Sequence, residues 1–569
     1  MRKREWVSGE QVGKDELGFW RGRRELEQRG AASSATARTW RRMVTWGMVF
    51  LGAVLFAGCH PGKSGGGAGG NGASGGGADG VRVNFAEVAK SPDARTAPVA
   101  TQPVFDIGPG PALPAHGTAD RRKEAARAAA EALPIRPCNV SAAVFGCPFD
   151  GVAQDNCKSC VLPPPDPNAA AGAGKIVEVV NQLIQVTNRV GTVDCGGPVT
   201  LQRLLRTTNT LTDPRVQFDN VNQRFSFSIT VSNPAANDMP RMFVAATATE
   251  DPCGEWYVYD MTFHGDAVPA GTFLDFPMLG QDRNALLLSL RNCPKTQCGN
   301  ASFMVFGVPK ALVYANKHVE FDCFTVDSLT APVTNAGQPM IDSAVSFFLA
   351  AVPGTGYKLY KLTKSGGSGA QISKTTINAP FSVPPVVKQP GTSATLDPSD
   401  GNIVSFPYFD GTRIWFSHDA DDDGFPTVQY GFVDTSKNTV ERTFAFHSGS
   451  SDDFNSSLAV GITQGGETVY MNWAFTDTKA QTGTTAVFAS GDASKPLVTI
   501  AGAGTPFTSG GGVDTACPTD KPCRFGDFSS VSVDPTVSGC AFATQQYFAT
   551  DGSWKTRITP IGQCENVVK

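Results

Sequence analysis

Arg224-Phe225-Ser226-Phe227-Ser228-Ile229-Thr230 alternates apolar and polar side chains, which places Phe225, Phe227 and Ile229 on one face of an extended chain. Similar runs recur: Ser302-Phe-Met-Val-Phe306, residues 403–409, Arg413-Ile-Trp-Phe416, Thr468-Val-Tyr-Met-Asn-Trp473 and residues 540–548. Clusters of Gly, Asn, Asp and Pro separate them, as turns separate short strands. Many short strands at this density predict an all-β fold. About 400 residues from position 163 onward are too many for one sandwich and suit a β-propeller of six or seven blades. No fixed-period repeat is visible, so the expectation rests on strand density and length.

The N-terminal part reads differently. Arg38, Arg41 and Arg42 precede an apolar stretch from Met43 to Phe56, which ends in Val54-Leu-Phe-Ala-Gly-Cys59. The stretch is short for a spanning helix and resembles the signal peptide and lipobox of a bacterial lipoprotein, with Cys59 as the lipid attachment site. Phe56 stands where such boxes usually carry leucine, and the charged first 40 residues imply a start further downstream. The expected organisation is a signal region at 1–58 and a lipidated, flexible Gly/Pro-rich tether at 59–117. A short helix and cysteine-rich collar follow at 118–162, then the β-propeller at 163–569. The glycine tract at 63–80 has no side chains to build a core, and 81–117 is expected to be irregular. Residues 120–133 have the composition of a helix. This arrangement places the protein in the cell envelope, at the outer membrane or cell surface, held to the membrane by lipid.

A net charge of −4 without a strong basic cluster after the signal argues against nucleic-acid binding. The 14 cysteines fit an oxidising compartment. Close spacing suggests Cys138 with Cys147, Cys157 with Cys160, Cys293 with Cys298, Cys517 with Cys523, and Cys540 with Cys564. Assigning Cys59 to lipid leaves an odd number and therefore one free or intermolecular thiol. The spacing of Cys157 and Cys160 also occurs in zinc and redox motifs, but the second half-site and the βαβ context are missing.

Several blocks occur in a fixed order. Pro164-Pro-Asp166-Pro-Asn168 leads into Ile176-Val-Glu-Val-Val-Asn181, and Asp213-Pro-Arg-Val216 leads into Phe218-Asp219. Asp251-Pro252 with Trp256-Tyr257, Asp275-Phe-Pro277 with Leu279-Gly280, and Arg524-Phe-Gly526-Asp527-Phe-Ser529 with Val533-Asp534-Pro535 follow. Together they resemble a family of large secreted or lipid-anchored bacterial β-propeller proteins of uncharacterised function. The resemblance implies a propeller at the cell surface and brings no catalytic residues with it. Ala169 replaces a usual glycine, and Phe276, Phe525 and Phe528 replace Tyr or Trp. Read physically, the Asp-Pro pairs are turn and blade-packing signatures.

Asp419-Ala-Asp421-Asp-Asp423-Gly424 matches the start of a calcium loop, but Thr427 and Tyr430 stand where the later ligands belong. An acidic hairpin tip explains the same residues. No cofactor is expected apart from calcium at this loop. His264, His318, His418 and His447 lack the spacing of a helical metal pair. A sialidase-like site would need arginines and an acid pair around the axis, for which Arg215, Arg241, Arg283, Arg413 and Arg524 are available. The leading expectation is a lipid-anchored envelope protein that binds a glycan or protein partner. A glycoside hydrolase or lyase at the propeller axis, or a structural envelope component, are the alternatives.

Overall fold

A computed structural model describes residues 60–61, 76–96 (less 92), 147–156 and 164–564, apart from short internal stretches of which the longest is 502–521. Its described part is nearly all antiparallel sheet; the helices are Phe85–Lys90, Leu201–Leu205 and Lys310–Val313, each about one turn. Among the described residues, no helix is long and apolar enough to cross a membrane.

Seven main sheets follow one another along the chain. The first strands of the first three are Asn168–Gly172, Leu211–Asp219 and Phe273–Gln281. The fourth is built on Val345–Val352 and Gly356–Thr363, and the fifth on Arg413–Asp422 and Phe425–Asp434. The sixth begins with Ser451–Thr463 and the seventh with Ser530–Val533. Within each, the central strands pair as antiparallel hairpins, as expected where loops are short and rich in Gly, Asn and Asp, while the fifth gains parallel edge strands at Thr334–Asn335 and Ile500–Ala501.

The alternating runs bury their apolar face between consecutive sheets. Val177, Val186, Phe225 and Phe227 fill the space between the first and second. Met242, Leu288 and Phe306 do so between the second and third, and Leu287, Phe348 and Tyr360 between the third and fourth. Leu349, Ile414 and Phe416 join the fourth to the fifth, Trp415, Val428 and Trp473 the fifth to the sixth, and Tyr470 and Ala541 the sixth to the seventh. Ala169, Ile176, Phe542 and Ile558 then join the seventh to the first. Each sheet thus packs on the next, and residues of the seventh share a cluster with residues of the first.

Three expectations for the N-terminal part need correction. Residues 81–117 are not irregular throughout: Gly80–Asn84 pairs with Glu255–Trp256-Tyr257-Val258-Tyr259 at the outer edge of the second sheet, and Phe85–Lys90 continues as a helix. Val83 and Phe85 are buried there, and Asn84 caps the helix by accepting the Glu87 N–H. The tether is likewise not free along its length, since His60–Pro61 pairs with Phe263 and His264, and Gly76–Ala78 with Val319–Phe321. Strand addition uses main-chain groups, so a glycine-rich composition conceals it. Finally, Phe149–Ala153 belongs to no collar; it pairs with Trp554–Gly562 and completes the seventh sheet. The helix expected at 120–133 lies outside the described residues.

Disulfides link Cys293 to Cys298 and Cys540 to Cys564, as spacing suggested. Cys195–Cys253 was not foreseen, because its partners are 58 residues apart and meet only when the first two sheets pack. Cys147, Cys323 and Cys523 are also disulfide-bonded, and no described cysteine is free. Cys59, Cys138, Cys157, Cys160 and Cys517 lie outside the described residues.

Candidate functional site

The first strands of several sheets carry the same irregularity near their starts. Asp166-Pro167 lies opposite Val180, Asp213-Pro214 opposite Ile229, Phe276-Pro277 opposite Leu290, and Asn455-Ser456 opposite Trp473. Two residues face one in each case, which is a β-bulge. The first bulge residue always has left-handed backbone, with φ of 50° at Asp166, 62° at Asp213, 53° at Phe276 and 50° at Asn455. Asp and Asn tolerate that region better than most residues, whereas Phe276 is held there by its surroundings.

Those surroundings are a relay of hydrogen bonds between sheets. Asn181 Oδ1 accepts the Asp213 N–H at 2.8 Å, and Asp213 Oδ2 accepts the Phe276 N–H at 3.1 Å. Asp419 Oδ2 accepts the Asn455 N–H at 2.7 Å, and Asn455 Nδ2 donates to the Gly526 carbonyl at 2.6 Å. Asp166 Oδ1 accepts the Asp527 N–H at 2.7 Å, and Asp166 Oδ2 accepts from Asn181 Nδ2. The bulges at Asp213, Phe276 and Asn455 therefore each present an N–H that a side chain of a neighbouring sheet takes up, whereas at the first bulge the Asp166 side chain is itself the acceptor.

The relay gathers acids. Asp166, Asp213 and Asp275 are buried, while Asp397, Asp400 and Asp527 are partly exposed. Arg291 clasps Asp275, with Nε 2.7 Å from Oδ2, and Arg524 clasps Asp527. Burial, then the charges of Asp275 and Asp527, push the Asp213 carboxyl up to about 7. Burial and Asp527 raise Asp166, burial with Asp400 and Asp527 takes Asp397 to about 6, and burial takes Asp419 to about 8. Of the turn and packing roles expected for the Asp-Pro pairs, Asp166 and Asp213 take the packing one, as latches at bulges between sheets, and Asp251 and Asp534 form turns, accepting from Cys253 N and Thr536 N. A bulge is invisible in sequence because its position depends on the partner strand.

Beyond the bulges the same strands line a small cavity of about 70 Å3. Ala169, Ala170, Val216, Val460 and Val531 give it small apolar walls, and none of its lining residues is charged. Gln217 is a polar lining residue, 5% exposed; its Nε2 donates to Thr334 Oγ1 at 2.7 Å, and its Oε1 has no partner among the described residues.

Arg215 lies between the acid end and this channel. It is fully buried, with its guanidinium 4.1 Å from the ring centre of Phe528 and 4.5 Å from that of Phe406, which lines the channel. Nη2 donates to the Val404 carbonyl at 3.1 Å, while Nε and Nη1 have no partner among the described residues. Burial lowers its pKa to about 9, against the pull of Asp213 and Asp166, so it is charged at neutral pH.

Of the arginines named from sequence, Arg215 and Arg524 thus both lie near Asp166, Asp213 and Asp527. Arg241 pairs with Asp260, Arg283 with Asp342, and Arg413 with Asp410 and Glu467, all elsewhere. Asp419, Asp421 and Asp423 lie in a hairpin of Arg413–Asp422 and Phe425–Asp434 with Asp423-Gly424 as its left-handed two-residue turn. Asp421 Oδ1 accepts the Gly424 N–H, and Asp419 is committed to Asn455. The one described group of three candidate metal ligands is Asp275, Cys293 and Cys298, whose sulfurs are joined to each other. His418 is buried, bonds to Tyr357 through Nε2 at 2.8 Å, and is lowered by burial to about 4, hence neutral.

No family model and no curated protein matches the chain. Solved structures with partial likeness include an exo-β-1,3-galactanase from Phanerochaete chrysosporium, at 11% identity over 70% of this chain and 93% of that one, with a TM-score of 0.27. An α-L-arabinofuranosidase from Fusarium graminearum shares 8% identity over 71% and 95%, with a TM-score of 0.33. A sialidase from Trypanosoma rangeli shares 10% over 61% and 53%, with a TM-score of 0.30. Likenesses of this size decide neither ligand nor chemistry.

Proposed function

We propose that the chain is a lipid-anchored β-propeller of seven blades on the bacterial cell envelope, of the secreted propeller family its motifs resemble, and that it binds a glycan in the channel along its axis. The seven sheets are the blades, and Phe149–Ala153 closes the ring by completing the last one. The observation that carries the binding reading is the uncharged lining of the channel together with an unused acceptor on Gln217. At the channel end Gln217 has an unused acceptor, and no carboxylate among the lining residues can act as acid or base.

Hydrolysis is the second reading, and one observation favours it. Asp397, partly exposed and held at about 6 beside Asp400 and Asp527, has the perturbed ionisation of a general acid. Its place is the opposite, acid end.

A screen of immobilised glycans with the full chain, run with calcium and with chelator, tests the binding reading. Val533→Trp, which fills the channel from a half-buried lining position, should abolish binding of any hit while leaving the fold intact by circular dichroism. A hit that survives Val533→Trp and is cleaved would move the function to the acid end. Absence of any glycan hit would overturn the proposal.

A further inference from the structure

The chain that follows Cys59 is bound along one edge of the second sheet. His60–Pro61 pairs with His264 and Phe263 at one end of the strand Glu255–His264, and Gly80–Asn84 pairs with its other end. Gly76–Ala78, between them in the chain, pairs with Val319–Phe321. Cys59 is joined to His60 by a peptide bond, so their Cα atoms are about 3.8 Å apart. A free tether of about 20 residues would instead let the domain range about 25 Å from its anchor.

Three large apolar side chains are exposed among the described residues, and two of them stand on this edge. Val81 lies in the outermost strand and is 49% exposed. Leu312 is 37% exposed, and its carbonyl accepts from the hydroxyl of Tyr259, the strand partner of Gly80. Charged neighbours pair with each other, Arg82 with Glu255 and His318 with Asp79, so contact with this edge calls for no charged lipid.

We infer that the outer edge of the second sheet rests on the membrane, with Val81 and Leu312 at the lipid interface, and that the propeller is thereby held in one orientation. This rests on the lipid attachment at Cys59 proposed above. The acyl chains supply the anchorage. The paired strands turn it into orientation, because the residue next to the lipid is itself part of the sheet. Val81 and Leu312 add interfacial contact and withdraw apolar surface from water.

For the test, the full chain is purified from a bacterial host and reconstituted in phosphatidylcholine vesicles whose headgroups carry an energy-transfer acceptor. A fluorescent amino acid is placed at position 312 or, in a second protein, at position 439, the exposed start of the strand Thr439–Phe446 in the fifth sheet. Both positions are remote from Cys59 in sequence, so transfer reports how the folded body lies and not the reach of the tether. Transfer from 312 should exceed transfer from 439 at least about twofold, since a body of about 400 residues is about 50 Å across. Equal transfer, or more from 439, overturns the inference and leaves the lipid anchor standing. Cys59→Ser should release the protein from the vesicles; if this variant binds as the unaltered chain does, the anchor falls and the inference with it.

Discussion

The two ends of the axis are built from the same strands and have opposite chemistry. At the start of the strands, Asp166, Asp213 and Asn181 spend their side-chain oxygens on backbone N–H groups and amides of neighbouring sheets, and Asp419 spends Oδ2 while its Oδ1 has no partner among the described residues. Further along, Ala169, Val216 and Val531 leave open space, and Gln217 and Arg215 keep unused hydrogen-bonding capacity. A concentration of acids is thus no guide to function by itself. Polar groups committed to neighbouring sheets hold structure together.

The largest expected effect of this contrast is on pH dependence. The carboxyls of Asp213 and Asp419 keep their protons in the folded chain up to about 7 and about 8, whereas in the unfolded chain they lose them near 3.8. The folded state binds more protons in that window, so stability contributed by these groups is full below about pH 4 and drains away as pH rises through 7 to 8. The ceiling on the order of magnitude is about 4 kcal/mol for Asp213 and about 6 kcal/mol for Asp419. Denaturant unfolding at pH 5 and pH 8.5 should show lower stability at the higher pH, and Asp213→Asn should flatten the dependence; a rise in stability with pH would contradict it.

Next in size is the contrast between single substitutions at the two ends. Asp213→Ala removes the acceptor for Phe276 N and leaves a buried donor unpaired in a left-handed bulge, a loss of about 2–3 kcal/mol. Gln217→Met at the channel end forfeits the bond to Thr334 but relieves an unused acceptor, and should cost less than about 1 kcal/mol. Urea titrations of both variants compare them directly, and equal losses would erase the distinction between the ends.

How much of this was legible depends on whether a feature is local. The strand at Arg224–Val231 is written in its own alternation, and Cys293–Cys298 and Cys540–Cys564 in their spacing. The motif blocks Asp166-Pro167 and Asp213-Pro214 were recognisable as special, but their role was not. Phe276-Pro277 and Asn455-Ser456 make the same bulge with different residues, so no pattern announces it. The docking of Gly76–Ala78 and Gly80–Asn84 uses main-chain bonds that composition does not encode. Arg215 could be named from sequence as a candidate, but its burial needed Phe406 and Phe528, which are 191 and 313 residues away in the chain, to close around it.

Hydrogen–deuterium exchange of the full chain with and without a bound glycan tests the central claim most directly. Ligand protection is expected in the channel-lining stretches 216–220, 460–462 and 531–535, with 397–400 and 524–527 unchanged. Protection confined to 397–400 and 524–527 would contradict the account and assign the function to the acid end.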